Sequence, residues 1–214
     1  TLGAETEHAL EWSAALAGEL LVNHLVEASA RLTRYSADGT ELGSLPLPGL
    51  GTITGLAGRF VEPAVFLGYQ SFVEPPIVLR AQDGVTEVWA GSEPPIDPSD
   101  FVVERMHTVS TDGAEVGMFV VRRADAELPG PVELYGYGGF TINLTPTYSP
   151  ARLAFLEAGG IVVVANLRGG SEHGEPWHEQ GSLGNKQQVF DDLIACGEHL
   201  LAEGIATAET LGIR

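Results

Sequence analysis

The apolar pattern of this chain changes period near residue 100, and that change restricts it to two unlike architectures in sequence. Upstream, short apolar runs at 19–26, 31–35, 41–47, 64–72, 77–81 and 86–90 are each closed by turn residues. A period of two broken by turns reads as half-buried strands. Downstream, strand patterns alternate with helical ones, which reads as an α/β layer structure. Residues 91–101 carry Pro94, Pro95, Pro98 and three acids between the two regions. Proline lacks an amide donor and biases its neighbour away from helix, so this is the linker candidate. The expected division is 1–99 and 100–214.

Two Asp-Gly pairs, Asp38-Gly39 and Asp83-Gly84, stand 45 residues apart, each between the end of one strand pattern and the start of the next. Asp-Gly at that place signals a hairpin whose turn needs positive φ. The spacing fits one blade of a β-propeller, a four-stranded unit that needs neighbours to bury its faces. About two such units fit in 1–99, so the expectation is two blades of a larger ring.

In the second region 104–109 and 116–122 flank Asp112-Gly113 as another hairpin. A strand at 132–135 runs into Gly136-Tyr137-Gly138-Gly139-Phe140. Ser149-Pro150 then opens a helix, the serine as N-cap and the proline at a position where its missing N–H costs nothing. Leu153, Phe155 and Leu156 are its expected buried face, and Gly159-Gly160 its stop. The continuous apolar run 161–165 reads as a strand covered on both faces, as in a parallel sheet. After a loop at 168–185, a helix is expected over about 186–203, burying Val189, Phe190, Leu193, Ile194, Gly197, Leu200 and Leu201. Residues 211–213 look like the opening of a further strand.

Charge narrows the functions. With 11 basic and 29 acidic side chains, net −18, and both halves acidic, the chain has no basic patch for nucleic acid or an anionic membrane. Hydrophobic residues at 44% against 19% charged fit a globular core rather than disorder. Cys196 is the only cysteine, so no internal disulfide can form; a free thiol fits a reducing compartment, and the expected address is cytoplasmic. The chain starts at Thr1 without a leader pattern and has no apolar run near the length of a membrane helix.

No cofactor is expected. Gly136-x-Gly138-Gly139 is followed by a polar loop instead of a helix, unlike a dinucleotide fingerprint, and residues 181–186 lack the phosphate-loop spacing. His173 and His178, with Glu172, Glu175 and Glu179 nearby, lack metal-protease spacing and read as loop or packing residues; no metal site is expected. Asp191-Asp192 reads as an acidic pair answering the dipole of the last helix. A serine nucleophile of this fold class needs G-x-S-x-G on a strand-to-helix turn. Ser171 has His173 in place of the second glycine, and Ser182 has Gln180 in place of the first.

The segments Leu134-Tyr-Gly-Tyr-Gly-Gly-Phe140, Thr145-Pro-Thr-Tyr-Ser149 and Val164-Ala-Asn-Leu-Arg-Gly-Gly170, then Gly174-Glu-Pro-Trp-His178, Leu183-Gly-Asn-Lys186 and Phe190-Asp-Asp192, resemble the prolyl oligopeptidase family of serine peptidases in order and spacing. The resemblance extends upstream through Leu47-Pro-Gly-Leu-Gly-Thr52 and Asp97-Pro-Ser-Asp-Phe101, so it covers essentially the whole chain. It implies the C-terminal blades of a β-propeller followed by the N-terminal part of an α/β-hydrolase domain. It also implies a monomeric enzyme that cuts proline-containing oligopeptides after proline. By the same resemblance Tyr137 would donate its hydroxyl to the oxyanion hole, and Phe140 would line the pocket for the substrate proline. Without the resemblance, Tyr137 reads as a core tyrosine and Phe140 as packing against the next helix.

Gly117 departs from the family, which typically has proline there. The family continues from the strand at 211–214 into Gly-Gly-Ser-x-Gly-Gly, so the Ser/Asp/His triad is expected beyond Arg214 and this chain alone is expected to be inactive. The alternative is a non-catalytic β-rich binding module.

Overall fold

A computed structural model describes residues 8–214. The chain forms two compact units. The first runs to Pro95 and takes in Thr145–Tyr148; the second comprises Ile96–Leu144 and Ser149–Arg214.

The first unit holds two four-stranded antiparallel meanders. One is β1 (Ala9–Leu16), β2 (Glu19–Val26), β3 (Ser29–Tyr35) and β4 (Glu41–Ser44); the other is β5 (Thr52–Gly58), β6 (Ala64–Gln70), β7 (Ile77–Gln82) and β8 (Val85–Gly91). In both sheets the Asp-Gly pair joins the third strand to the fourth, so the repeat of 45 residues is the repeat of one sheet. The turns differ in kind. Asp83 and Gly84 both have positive φ, as a two-residue hairpin requires, whereas at Asp38-Gly39 only the glycine does. There the loop is longer: Ser36 N–H donates to Thr40 O and Gly39 N–H to Ser36 O.

Burial alternates strictly along β6 and β7, and Leu21, Leu32 and Leu45 share one core with Ile53, Val65, Leu67, Tyr69 and Leu79. Two strands go beyond the sequence expectation. β1 is rich in alanine and leucine and β5 in glycine, so neither has strong strand preference; pairing with β2 and β6 holds them extended.

The second unit is a five-stranded mixed sheet. Its strands are β9 (Phe101–Val109), β10 (Glu115–Arg123), β11 (Val132–Gly136), β12 (Ile161–Ala165) and β13 (Leu211–Ile213), in the order β13-β11-β12-β10-β9. β11 lies parallel to both β12 and β13, and β10 is antiparallel to β12 and β9. All five residues of β12 are buried, as its unbroken apolar run requires. α1 (Pro150–Glu157) begins at Ser149, whose hydroxyl accepts from Arg152 N–H; Leu153 and Leu156 are buried, while Phe155 is half-buried.

Gly117 on β10 has a local reason: a Cβ there would lie 2.3 Å from the Arg105 guanidinium, which crosses the strand to sit 4.2 Å from the centre of the Phe119 ring. The glycine leaves that room.

α2 (Glu175–Glu179) is a single turn within the expected loop, and α3 (Gln187–Ala202) matches the expected final helix. Its buried face matches in part: Val189, Gly197 and Leu200 are buried as expected, and Leu193 packs against the core. Asp192, Ala195 and Cys196 join that inward face, while Phe190 and Ile194 are exposed and Leu201 is 38% exposed. The helix is turned by about one residue from the face its apolar positions select, because Asp192 is drawn inside. Among the described residues no helix is long and apolar enough to cross a membrane.

Candidate active site

β11, β12 and β13 run parallel, so their carboxyl ends share one edge of the sheet, where open α/β sheets place ligands. The loop leaving β11 carries Tyr137 and Phe140, and the loop leaving β12 carries Asn166, Arg168 and Gly169. Backbones meet closely here. Gly138 has φ +58°, and a Cβ on it would lie 2.3 Å from Val189 Cγ1; a Cβ on Gly169 would lie 2.5 Å from Gly138 O. Glycine at both places lets the two loops touch, and Thr141 N–H donates to Gly169 O at 3.2 Å.

Tyr137 is 43% exposed and Phe140 82% exposed. Neither ring is enclosed in the core. Phe140 borders an open recess of about 630 Å³ shared with Thr141, His178, Leu183 and Lys186. The Lys186 ammonium donates to Gly138 O. Phe140 and Thr141 both adopt left-handed backbone, φ +53° and +57°.

Beneath these loops lies a buried ionic network. The Arg168 side chain is 2% exposed; its Nε donates to Asp192 Oδ2 at 2.9 Å, its Nη2 to Asp112 Oδ1 at 3.1 Å, and its backbone N–H to Asp192 Oδ2 at 3.1 Å. Asp192 is fully buried, so it is no surface acid answering a helix dipole; it is the counter-ion of Arg168. The hydrogen bond to Asp192 raises the Arg168 pKa further, while the hydrogen bond from Arg168 holds the Asp112 carboxyl below its usual range. Burial, with the Asp192 charge adding to it, pushes the Cys196 thiol up to about 12, which leaves it inert as a nucleophile.

Glu172 supports the other side. Its Oε1 accepts from Leu144 N–H at 2.8 Å and Asn166 Nδ2 at 3.3 Å, whereas Oε2 is buried without a partner. Burial raises its pKa. The folded state therefore holds the proton more tightly than the unfolded chain, and this residue's contribution to stability falls as pH rises from the ordinary carboxyl value through the raised one. Glu172→Gln should abolish that trend. Urea midpoints at pH 4.5 and 7.5 are expected to move in the variant's favour at the higher pH; a pH-independent difference, or one of opposite sign, would count against this account.

The two candidate histidines have packing partners: the His173 ring meets the Trp177 ring edge-on at 4.8 Å, and His178 Nδ1 lies 2.8 Å from Gly169 O, so that nitrogen carries the proton. Among the described residues no three or more His, Cys, Asp or Glu side chains group as metal ligands. Arg168, Asp192 and Lys186 all fall within motifs that carry the family resemblance, yet residue spacing alone gives no sign that they converge on one loop.

Comparison with known proteins defines the class first. The two meanders and the mixed sheet superpose on a solved prolyl endopeptidase with a TM-score of 0.90 and 39% identity, over 100% of this chain and 32% of that one. Prolyl oligopeptidase B from Galerina marginata, solved bound to a 35-residue hydrolysis and macrocyclization substrate, gives a TM-score of 0.90 at 26% identity, over 99% of this chain and 31% of that one. The architecture is thus that of propeller blades followed by the front of an α/β-hydrolase sheet. Residues 146–214 match the Prolyl oligopeptidase family. The prolyl endopeptidase of Elizabethkingia miricola is 30% identical over 92% of this chain and 28% of its own length, and prolyl oligopeptidase ophP of Omphalotus olearius 36% identical over 100% and 30%. The chain is similar along its whole length to members of the prolyl oligopeptidase family, and it spans about three tenths of the length of these relatives.

Proposed function

We propose that this sequence supplies the oxyanion side of a serine peptidase site that hydrolyses short peptides on the carboxyl side of proline. Tyr137 Oη donates to the oxygen that becomes negative when the scissile carbonyl is attacked. A donor aimed at developing charge acts mainly in the transition state, where it lowers the barrier instead of tightening substrate binding. Phe140 offers a flat apolar face to the proline ring.

The observation that carries this reading is the half-exposed Tyr137 directly after the carboxyl end of β11, which lies between β13 and β12, three residues from an 82% exposed phenylalanine. In hydrolases of this fold one oxyanion donor comes from the corresponding loop.

The 214 residues by themselves are proposed to be inactive. Ser171 Oγ donates to Thr141 O at 3.2 Å and Asn143 Oδ1 at 3.0 Å, and Ser182 Oγ to Glu179 O at 3.2 Å. Among the described residues these hydroxyls bond to carbonyl oxygens and an amide and not to a histidine base, so neither is activated as a nucleophile.

A fluorophosphonate probe should leave the 214-residue chain unlabelled, while the whole enzyme should cut a mixed peptide set after proline. Stoichiometric labelling at Ser171 would overturn the first part, and cleavage after other residues the second.

A further inference from the structure

We propose that Lys186 is a positioning residue for the oxyanion donor, its ammonium fixing the backbone turn at 137–141 from which Tyr137 projects. The proposal rests on the reading of Tyr137 given above. Tyr137 is half-exposed, so side-chain packing holds its ring only in part and its direction is set by the backbone that carries it.

That backbone is strained. Phe140 and Thr141 are successive non-glycine residues in the left-handed region, directly after Gly138 and Gly139. Such conformations persist only where surrounding contacts over-determine them. Two of the contacts are neutral hydrogen bonds, Thr141 N–H to Gly169 O at 3.2 Å and Ile142 N–H to Gly139 O at 3.0 Å.

The Lys186 ammonium on Gly138 O adds a charged donor, the stronger kind. The geometry makes it a clamp: Gly138 O is pressed from one side by Gly169, where not even a Cβ fits, and held by Lys186. The lysine is itself fixed, lying between the 3₁₀ turn Leu183–Asn185 and the first residue of α3, with its N–H on Leu183 O at 3.3 Å. Losing the ammonium releases the carbonyl, the turn relaxes, and the tyrosine hydroxyl moves off the position it must hold for the transition state.

The test is a double-mutant cycle in the whole enzyme on a post-proline peptide substrate, with kcat and KM read separately. Lys186→Met is expected to lower kcat by about 10- to 100-fold, the order of loss a displaced catalytic group produces, with KM little changed. In the Tyr137→Phe background the same change should cost less than about twofold more, because the two residues act as one unit. Lys186→Arg, which keeps a charged donor, should recover part of the loss.

If Lys186→Met does not fold, Lys186→Gln is read in the same cycle. A silent Lys186 substitution, or one whose cost multiplies in full on Tyr137→Phe, overturns the positioning role while leaving Tyr137 as donor. A harmless Tyr137→Phe overturns both.

Discussion

Asp192→Ala is expected to destabilise the protein by about 3–5 kcal/mol, the usual cost of removing one partner from a buried ion pair. The cost arises because Arg168 stays behind, 2% exposed and charged, with two fewer acceptor oxygens. Asp112 remains to it, but that carboxylate is 40% exposed and is screened by water. The loss should appear as a lower urea midpoint. The paired replacement Arg168→Met with Asp192→Leu removes both charges and should recover most of it, since apolar side chains of similar volume often replace buried ion pairs without loss. A loss below about 1 kcal/mol in the single variant would mean that the turn at Asp112 neutralises Arg168 unaided.

Tyr137→Phe carries the second large effect. It removes one hydroxyl from a half-exposed ring, so the fold should be unaffected. In the whole enzyme kcat is expected to fall by about 10²- to 10³-fold with KM close to unchanged, the signature of a donor that acts on the transition state alone. Steady-state kinetics on a short proline-containing peptide checks it. A KM increase with kcat preserved would instead make Tyr137 a substrate-binding residue.

The sequence was legible where local chemistry governs. Ser149-Pro150 and the unbroken run of β12 stand where they were expected, and the Asp-Gly pairs mark the hairpins, though only Asp83-Gly84 has positive φ at both residues. The face of α3 was legible only in part, at Val189, Gly197 and Leu200. Helical periodicity gathers Phe190, Ile194 and Leu201 on one side, but the helix is oriented by Asp192 meeting an arginine 24 residues earlier, across a loop whose path no spacing rule gives. β1 and β5 were missed for a related reason: their strand state belongs to the partners they pair with. At the site, Tyr137 and Phe140 were reachable only through the family motif. Lys186, in the same set of motifs, gave no hint that its side chain returns to Gly138.

The hairpin turns at Asp38-Gly39 and Asp112-Gly113 are near twins. In each a serine N–H closes onto the carbonyl four residues on, a left-handed glycine follows the aspartate, and the aspartate carboxylate accepts a nearby amide. Asp38 is answered by its immediate neighbours, Ser36 and Thr40. Asp112 also reaches Arg168, 56 residues away. The two turns are therefore not interchangeable parts. A loop graft or a chimera that carries the hairpin of β9 and β10 between relatives must carry the arginine with it, whereas the turn at 36–40 brings the bonding partners of Asp38 along in Ser36 and Thr40.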